Sequence, residues 1–236
     1  MSVLLLRLAG PLQSWGADSR FQTRNTRREP TKSGVLGLLA AAGGRRRTDA
    51  IEDLLTLRFG VRTDQPGTVV RDFHTAHDWA HPDKKGEAPP MPLSHRFYLS
   101  DAVFVAGVEG DRNLLEGLDE TLRTPAFPLY LGRRSCPAEG QISLGVRDTE
   151  LTAALAEEPW HASPWYRRRQ PKAVDLPIAM DARSGQLGDT VRDVPHSFDP
   201  SRREYGWRTV TIDHVSKANP GGNDETPDWF AALEVH

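Results

Sequence analysis

The chain has 236 residues, 38% of them hydrophobic, which is enough for one substantial core, and a formal net charge of −2. That balance excludes a global positive field able to hold nucleic acid by non-specific attraction, so any nucleic-acid site must be local. The single cysteine excludes an intrachain disulfide, no stretch reaches the roughly 18 apolar residues of a membrane span, and the opening MSVLLLRLAG lacks a basic signal-peptide region, so a cytoplasmic protein is expected.

In chain order, Ser2 to Leu8 (SVLLLRL) is an apolar run broken by Ala-Gly-Pro and reads as a buried first strand. The loop after it, Gln13 to Glu29, carries Arg20, Arg24, Arg27 and Arg28 with Trp15 and Phe21 interleaved. Pro30 and Thr31 open a helix that is apolar almost all round (Val35, Leu36, Leu38 to Ala42), a pattern that packs in the core, and Gly43-Gly44 stops it. Arg45 to Arg47 follow where positive charge complements the helix dipole, and Thr48 can cap a short second helix. Leu57 to Thr63 alternates as a half-buried strand does, and Gln65-Pro66-Gly67 turns the chain. Thr68 to Thr75 and Ser94 to Leu99 read as two strands of a projecting hairpin, whose connection is too rich in Pro, Gly and charge to be core.

Asp101 to Val108 is a buried strand, Asp111 caps a helix with a Leu114, Leu115, Leu118 and Leu122 stripe, and a strand lies near Gln141 to Val146. The order β, α, β, inserted hairpin, β, α, β predicts an α+β fold, a modified ferredoxin-like domain over residues 1–147 with two helices on one face of an antiparallel sheet. The hairpin falls at about 68–100. From Asp148 onward the pattern weakens, only Arg208 to Val215 reads firmly as a strand, and residues 148–236 are expected to be a small, irregular β-rich extension packing on the domain. The tail GGNDETPD is polar.

Lys32-Ser33 resembles the end of a phosphate-binding loop, but that loop needs glycines whose successive N–H groups turn inward, and RREPT supplies a proline with no N–H. A helix amino end with Thr31, Lys32 and Ser33 can still hold one phosphate; the alternative is an ordinary capped core helix. His74, His77 and His81 with Asp72 and Asp78 sit on hairpin and loop rather than in zinc-ligand spacing, so no metal and no cofactor are expected. Arg133 and Arg134 could lower the Cys136 pKa, against a buried, inert thiol. Ser135, Tyr98 and His95 can be combined on paper into a metal-free ribonuclease site. The 30 basic residues comprise 25 Arg and 5 Lys, which suits bidentate phosphate recognition and also follows from GC-rich codon usage. Basic residues interleave with aromatics at four places: around Trp15 and Phe21, His74 to Trp79, Arg96 to Tyr98, and Trp165 to Arg169. Such mixtures hold single-stranded RNA, with cations on phosphates and rings on splayed bases.

The runs LLLRLAGPLQSWG, PTKSGVLGLLAAAGG, RDFHT and YLGRRSCP, spanning residues 3 to 137 in order, resemble the Cas five family of the RAMP superfamily, in the form belonging to type I-E CRISPR Cascade complexes. The resemblance implies a RAMP (RRM-like) variant of the ferredoxin-like fold with the hairpin as a thumb. It also implies a subunit that caps one end of the complex for antiviral defence and grips the 5′ handle of the CRISPR RNA, its thumb displacing the base at the junction with the guide. The implied partners are that RNA, the backbone and large Cascade subunits, and target DNA indirectly through the complex. Carried onto matching positions, Gln13, Trp15, Lys32 and Ser33 would line the handle site, His74 would lie on the thumb, and Arg133, Arg134 and Ser135 would bind handle phosphate or base edges. Arg24, Arg27, Arg28 and Arg96 join this set on charge alone. Type I-C relatives cut repeat RNA without metal, whereas type I-E systems use a separate endoribonuclease; binding without catalysis is therefore expected, with a metal-independent endoribonuclease as the alternative.

Overall fold

The computed structural model describes residues 1–16, 23–83 and 85–223. Strand β1 (Ser2–Ala9) sets the layering. Its side chains alternate, so Leu4, Leu6 and Leu8 enter the core on one face while Val3 and Leu5 enter a second core on the other. Burial on both faces is why β1 reads as an unbroken apolar run.

The chain then makes four short strands, β2 (Leu12–Gln13), β3 (Trp15–Gly16), β4 (Thr23–Arg24) and β5 (Thr26–Arg27), before helix α1 (Lys32–Ala42). Thr31 caps α1 by accepting from the Gly34 N–H at 3.1 Å. Gly44, at φ 74°, ends it in the left-handed region, with the Arg45 N–H returning to the Ala40 carbonyl. Arg45 pairs with Asp53 at 2.5 Å, and α2 (Glu52–Leu55) begins without a side-chain cap, so Thr48 does not serve as one.

Strands β6 (Arg58–Gln65), β7 (Thr68–His74), β8 (Ser94–Ser100) and β9 (Val103–Gly110) follow, then α3 (Arg112–Arg123), capped by Asp111, β10 (Ser143–Arg147), α4 (Leu151–Glu157), α5 (Pro164–Arg167), β11 (Ala173–Asp181), β12 (Asp189–Ser197) and β13 (Glu204–Ala218). The main sheet is antiparallel throughout, in the order β10-β1-β9-β6-β11-β13-β12. α1 and α3 bury Val35, Leu36, Leu39, Leu115, Leu118 and Leu122 against one face. The sequence predicts no helix on the other face, but α4 covers it with Leu151, Ala154 and Leu155.

The carboxyl-terminal part departs from its expected irregularity: β11, β12 and β13 continue the sheet rather than packing on it as a loose extension. Pro177 disguises β11, yet pairing with β6 begins only at Ile178, one residue further on, so the missing N–H costs no bond to that neighbour. β12 is an edge strand, which tolerates Pro195 and the register breaks near Asp193 and Ser197.

β7 and β8 form a hairpin in register from Thr68 opposite Ser100 to His74 opposite Ser94. It leaves the body between Gly67 (φ 67°) and Asp101 (φ 55°). β8 also pairs with β2 and, in parallel, with β4, which ties the hairpin root to the early loop. Arg20, Phe21 and the tail beyond Asn223 lie outside the described residues. Among the described residues, no helix is long and apolar enough to cross a membrane.

Candidate nucleic-acid interface

The QSWG turn is a fold lock rather than a ligand surface. Gln13 is fully buried; its Nε2 donates to the carbonyls of Leu8 (3.1 Å) and Ala102 (2.7 Å), and its Oε1 accepts from Trp15 Nε1 (3.0 Å). Trp15 is equally buried and packs so closely on α1 that a Cβ at Gly34 would sit 2.8 Å from the indole. Neither side chain lines a surface that RNA can reach, which corrects the expectation for both. The cost of leaving a buried donor unpaired explains why Gln13 is spent on backbone carbonyls.

The amino end of α1 is likewise already filled. The Lys32 N–H donates to Asp193 Oδ2 at 2.9 Å, so a carboxylate from β12 occupies the place expected for phosphate. Lys32 Nζ pairs with Asp181 Oδ2 at 2.8 Å, with only 8% of its side chain exposed. Arg208 closes the network, donating to Asp181 Oδ1 (2.8 Å) and to both Asp193 oxygens (2.5 and 2.9 Å). It lies 5.3 Å over the Phe59 ring. Nearby, burial pushes the Glu29 carboxyl above the usual carboxylate range, and Arg208 offsets part of that. Lys32 is therefore a member of a buried four-charge network. Ser33 is half-buried, 3.3 Å from the Thr31 hydroxyl. Nothing in the weakly patterned region around Asp181, Asp193 and Arg208 signals this network in sequence.

Other expected residues do converge, at the hairpin. Arg24 on β4 lies beside Arg96 on β8. Across the hairpin, Asp72 stands opposite Arg96 and Val70 opposite Tyr98, so Tyr98, Arg96, Asp72 and His74 share one face with Arg24. Arg133 bridges the elements: its guanidinium donates to the Phe97 carbonyl (3.2 Å) and the Arg24 carbonyl (2.9 Å) and lies 4.8 Å over the Tyr98 ring. His74 Nε2 is 3.0 Å from Asp72 Oδ2 and 3.4 Å from the Tyr98 hydroxyl. Arg24, Arg28, Arg134 and Ser135 are exposed and Arg27 is half-buried. The Arg96 Nε and His95 Nδ1 atoms are buried without a hydrogen-bond partner among the described residues.

The loop carrying Arg133 is held by Gly132, at φ 85°, whose backbone approaches Ser14 so closely that a Cβ would lie 1.8 Å from the Ser14 oxygen. Cys136, behind it, is buried, and that burial pushes the thiol pKa up, so the neighbouring arginines do not make it reactive. His95 and Tyr98 point to opposite faces of β8, which separates the His95, Tyr98 and Ser135 combination. Beyond the root, the hairpin exposes Phe73 and, near its tip, Trp79, which is 77% exposed. The sequence places Tyr98 in a basic-aromatic cluster and in the paper ribonuclease set; its role as the ring under Arg133 depends on a contact between positions 35 apart, which no local pattern encodes.

Two features thus suit single-stranded RNA: the Arg133 guanidinium fixed on backbone carbonyls over the Tyr98 ring beside Arg24 and Arg96, and exposed aromatics on a projecting hairpin. Residues 3–211 match the family described as CRISPR-associated protein (Cas_Cas5). The chain is 36% identical over 159 residues to the CRISPR system Cascade subunit CasD of Escherichia coli (strain K12), covering 61% of this chain and 70% of that protein. It is also similar to a crystal structure of a Cas protein, with TM-score 0.71 and 37% identity over 95% of this chain and 100% of that one. A chain of a CRISPR RNA-guided surveillance complex aligns with TM-score 0.77 and 31% identity over 98% of this chain and 97% of its own length.

Proposed function

The chain belongs to the CRISPR-associated Cas5 family, and from that premise we propose that it is the CasD-like subunit of a Cascade surveillance complex, holding the 5′ handle of CRISPR RNA without cutting it. The observation that carries this reading is the Arg133 guanidinium stacked on Tyr98 beside Arg24 and Arg96 at the hairpin root. Arg133 is pre-ordered by two carbonyls, so little side-chain entropy is lost when phosphate or a base edge binds.

In this reading the strands β10-β1-β9-β6 with α1 and α3 are the ferredoxin-like RAMP unit of residues 1–147, and the order 4-1-3-2 with two crossover helices on one face supports it. The hairpin at 68–100 is the thumb, and residues 148–236 are the extension, its three strands added to one sheet edge. Backbone and large subunits are the protein partners, and target DNA is met through the complex.

The geometry favours binding over cleavage. A working imidazole base is oriented through one ring nitrogen while the other meets substrate. His74 Nε2 is oriented by Asp72 and Tyr98, but the other groups of the candidate ribonuclease set do not join it, because His95 points to the opposite face of β8 from Tyr98. Incubating the full chain with labelled repeat RNA in EDTA tests both halves at once. Retarded, intact RNA is the expected result. A discrete cut at the handle boundary contradicts the non-catalytic reading, and absence of any retardation contradicts handle binding.

A further inference from the structure

A second basic-aromatic surface lies outside the hairpin site. Between Glu158 and Asp175 the chain carries Arg167, Arg168, Arg169 and Lys172 and no carboxylate, in a protein of net charge −2. Trp165 is 44% exposed and stands edge-on to Tyr166 with ring centroids 5.8 Å apart, and the Arg169 guanidinium lies 5.5 Å over its ring. Arg168 and Arg169 are exposed, and neither side chain has a carboxylate partner among the described residues.

This surface is rigidly tied to the hairpin root. The Ser163 N–H and hydroxyl both donate to Gln65 Oε1 (3.1 and 2.8 Å), and Gln65 Nε2 donates to the Asp101 carbonyl (2.5 Å). Trp160 Nε1 donates to the Asp64 carbonyl at 2.9 Å, and Asn219 Nδ2 donates to the Arg167 carbonyl at 2.8 Å. Phe97, whose carbonyl holds Arg133, is four residues from Asp101, about 13 Å along an extended strand. The two surfaces are therefore fixed to the same end of the hairpin.

We infer that Trp165, Arg168 and Arg169 form a second contact for single-stranded RNA, a base stacking on the indole and phosphates meeting the two guanidinium groups. The choice of RNA as the ligand rests on the handle-binding reading; the chemistry is that of a stacking platform flanked by cations with no carboxylate partner among the described residues. An acidic protein surface would use the charges but give the exposed ring no flat partner.

The test uses the full chain, a short 5′-labelled single-stranded RNA and DNA of the same sequence. Arg168→Gln/Arg169→Gln should reduce the salt slope of RNA binding by about 1.4, at roughly 0.7 per lost phosphate contact on a single strand. Trp165→Ala should weaken RNA binding at least about fivefold while leaving that slope unchanged. These side chains are exposed, so melting should match the wild type. Unchanged affinity and slope in both variants overturn the inference, as does a loss confined to DNA. Arg24→Gln/Arg133→Gln in parallel separates the two claims. If only that variant loses RNA, the handle reading stands and this inference fails. If only the Trp165 and Arg168/Arg169 variants do, this inference stands and the hairpin site fails.

Discussion

Gly132→Ala should destabilise the protein by about 3 kcal/mol or more. A non-glycine residue at φ 85° costs about 1–3 kcal/mol by itself. The added Cβ would also lie 1.8 Å from the Ser14 oxygen, a backbone atom that cannot rotate away, so the loop or the QSWG turn has to move. Forced displacement of this kind costs about another 1–3 kcal/mol. For a chain of this size that corresponds to a fall in Tm of roughly 6–12 °C. Because the loop presents Arg133 to Tyr98 and Arg24, RNA affinity should fall with stability. A thermal melt that coincides with the wild type would show that the loop does not depend on this close approach.

The second large effect concerns the buried charges. Asp193→Ala leaves the Lys32 N–H without its acceptor and removes two of the three carboxylate oxygens that face Arg208, so a loss of about 3–5 kcal/mol is expected. Lys32→Met should cost less, about 1–2 kcal/mol, because Asp181 keeps Arg208 and the Phe59 N–H as partners. Urea unfolding of the two variants measures this ordering. The salt slope of RNA binding by Lys32→Met should equal that of the wild type. If that slope falls by the value of one phosphate contact while unfolding is unaffected, the amine faces RNA and the network is misassigned.

These two cases show which parts of the site could be seen in the sequence. The runs QSWG, PTKSG and GRRSCP carry the family resemblance, and it is natural to assign their polar residues to the ligand. In the fold they mainly hold one another: Gln13 caps carbonyls and clasps Trp15, Trp15 packs on Gly34, and Gly132 lies on Ser14. A motif maintained by packing and one maintained by binding look alike in a single chain. Arg133 is distinguishable only through Tyr98 and Arg24, partners distant in sequence.

The fold was legible where one physical period dominates. β1 and β9 read as apolar runs and α3 as a leucine stripe behind its Asp111 cap, and all three form. β11 alternates Val174, Leu176, Ile178 and Met180 correctly, but Pro177 in its centre argues against a strand until the neighbouring register is known. β12 carries charges and a proline because it is an edge, a property of the assembled sheet rather than of its own residues. The anion position at α1 depended on Asp193, 161 residues away.

The central claim is that the arginines around Tyr98 hold RNA phosphate. Its most direct measurement is the salt dependence of binding between the full chain and a 5′-handle RNA, for the wild type and for Arg24→Gln/Arg133→Gln. Two lost phosphate contacts should lower the slope of log K against log salt by about 1.4 and weaken binding most at low salt. A double variant that melts like the wild type and keeps its full slope would contradict the account.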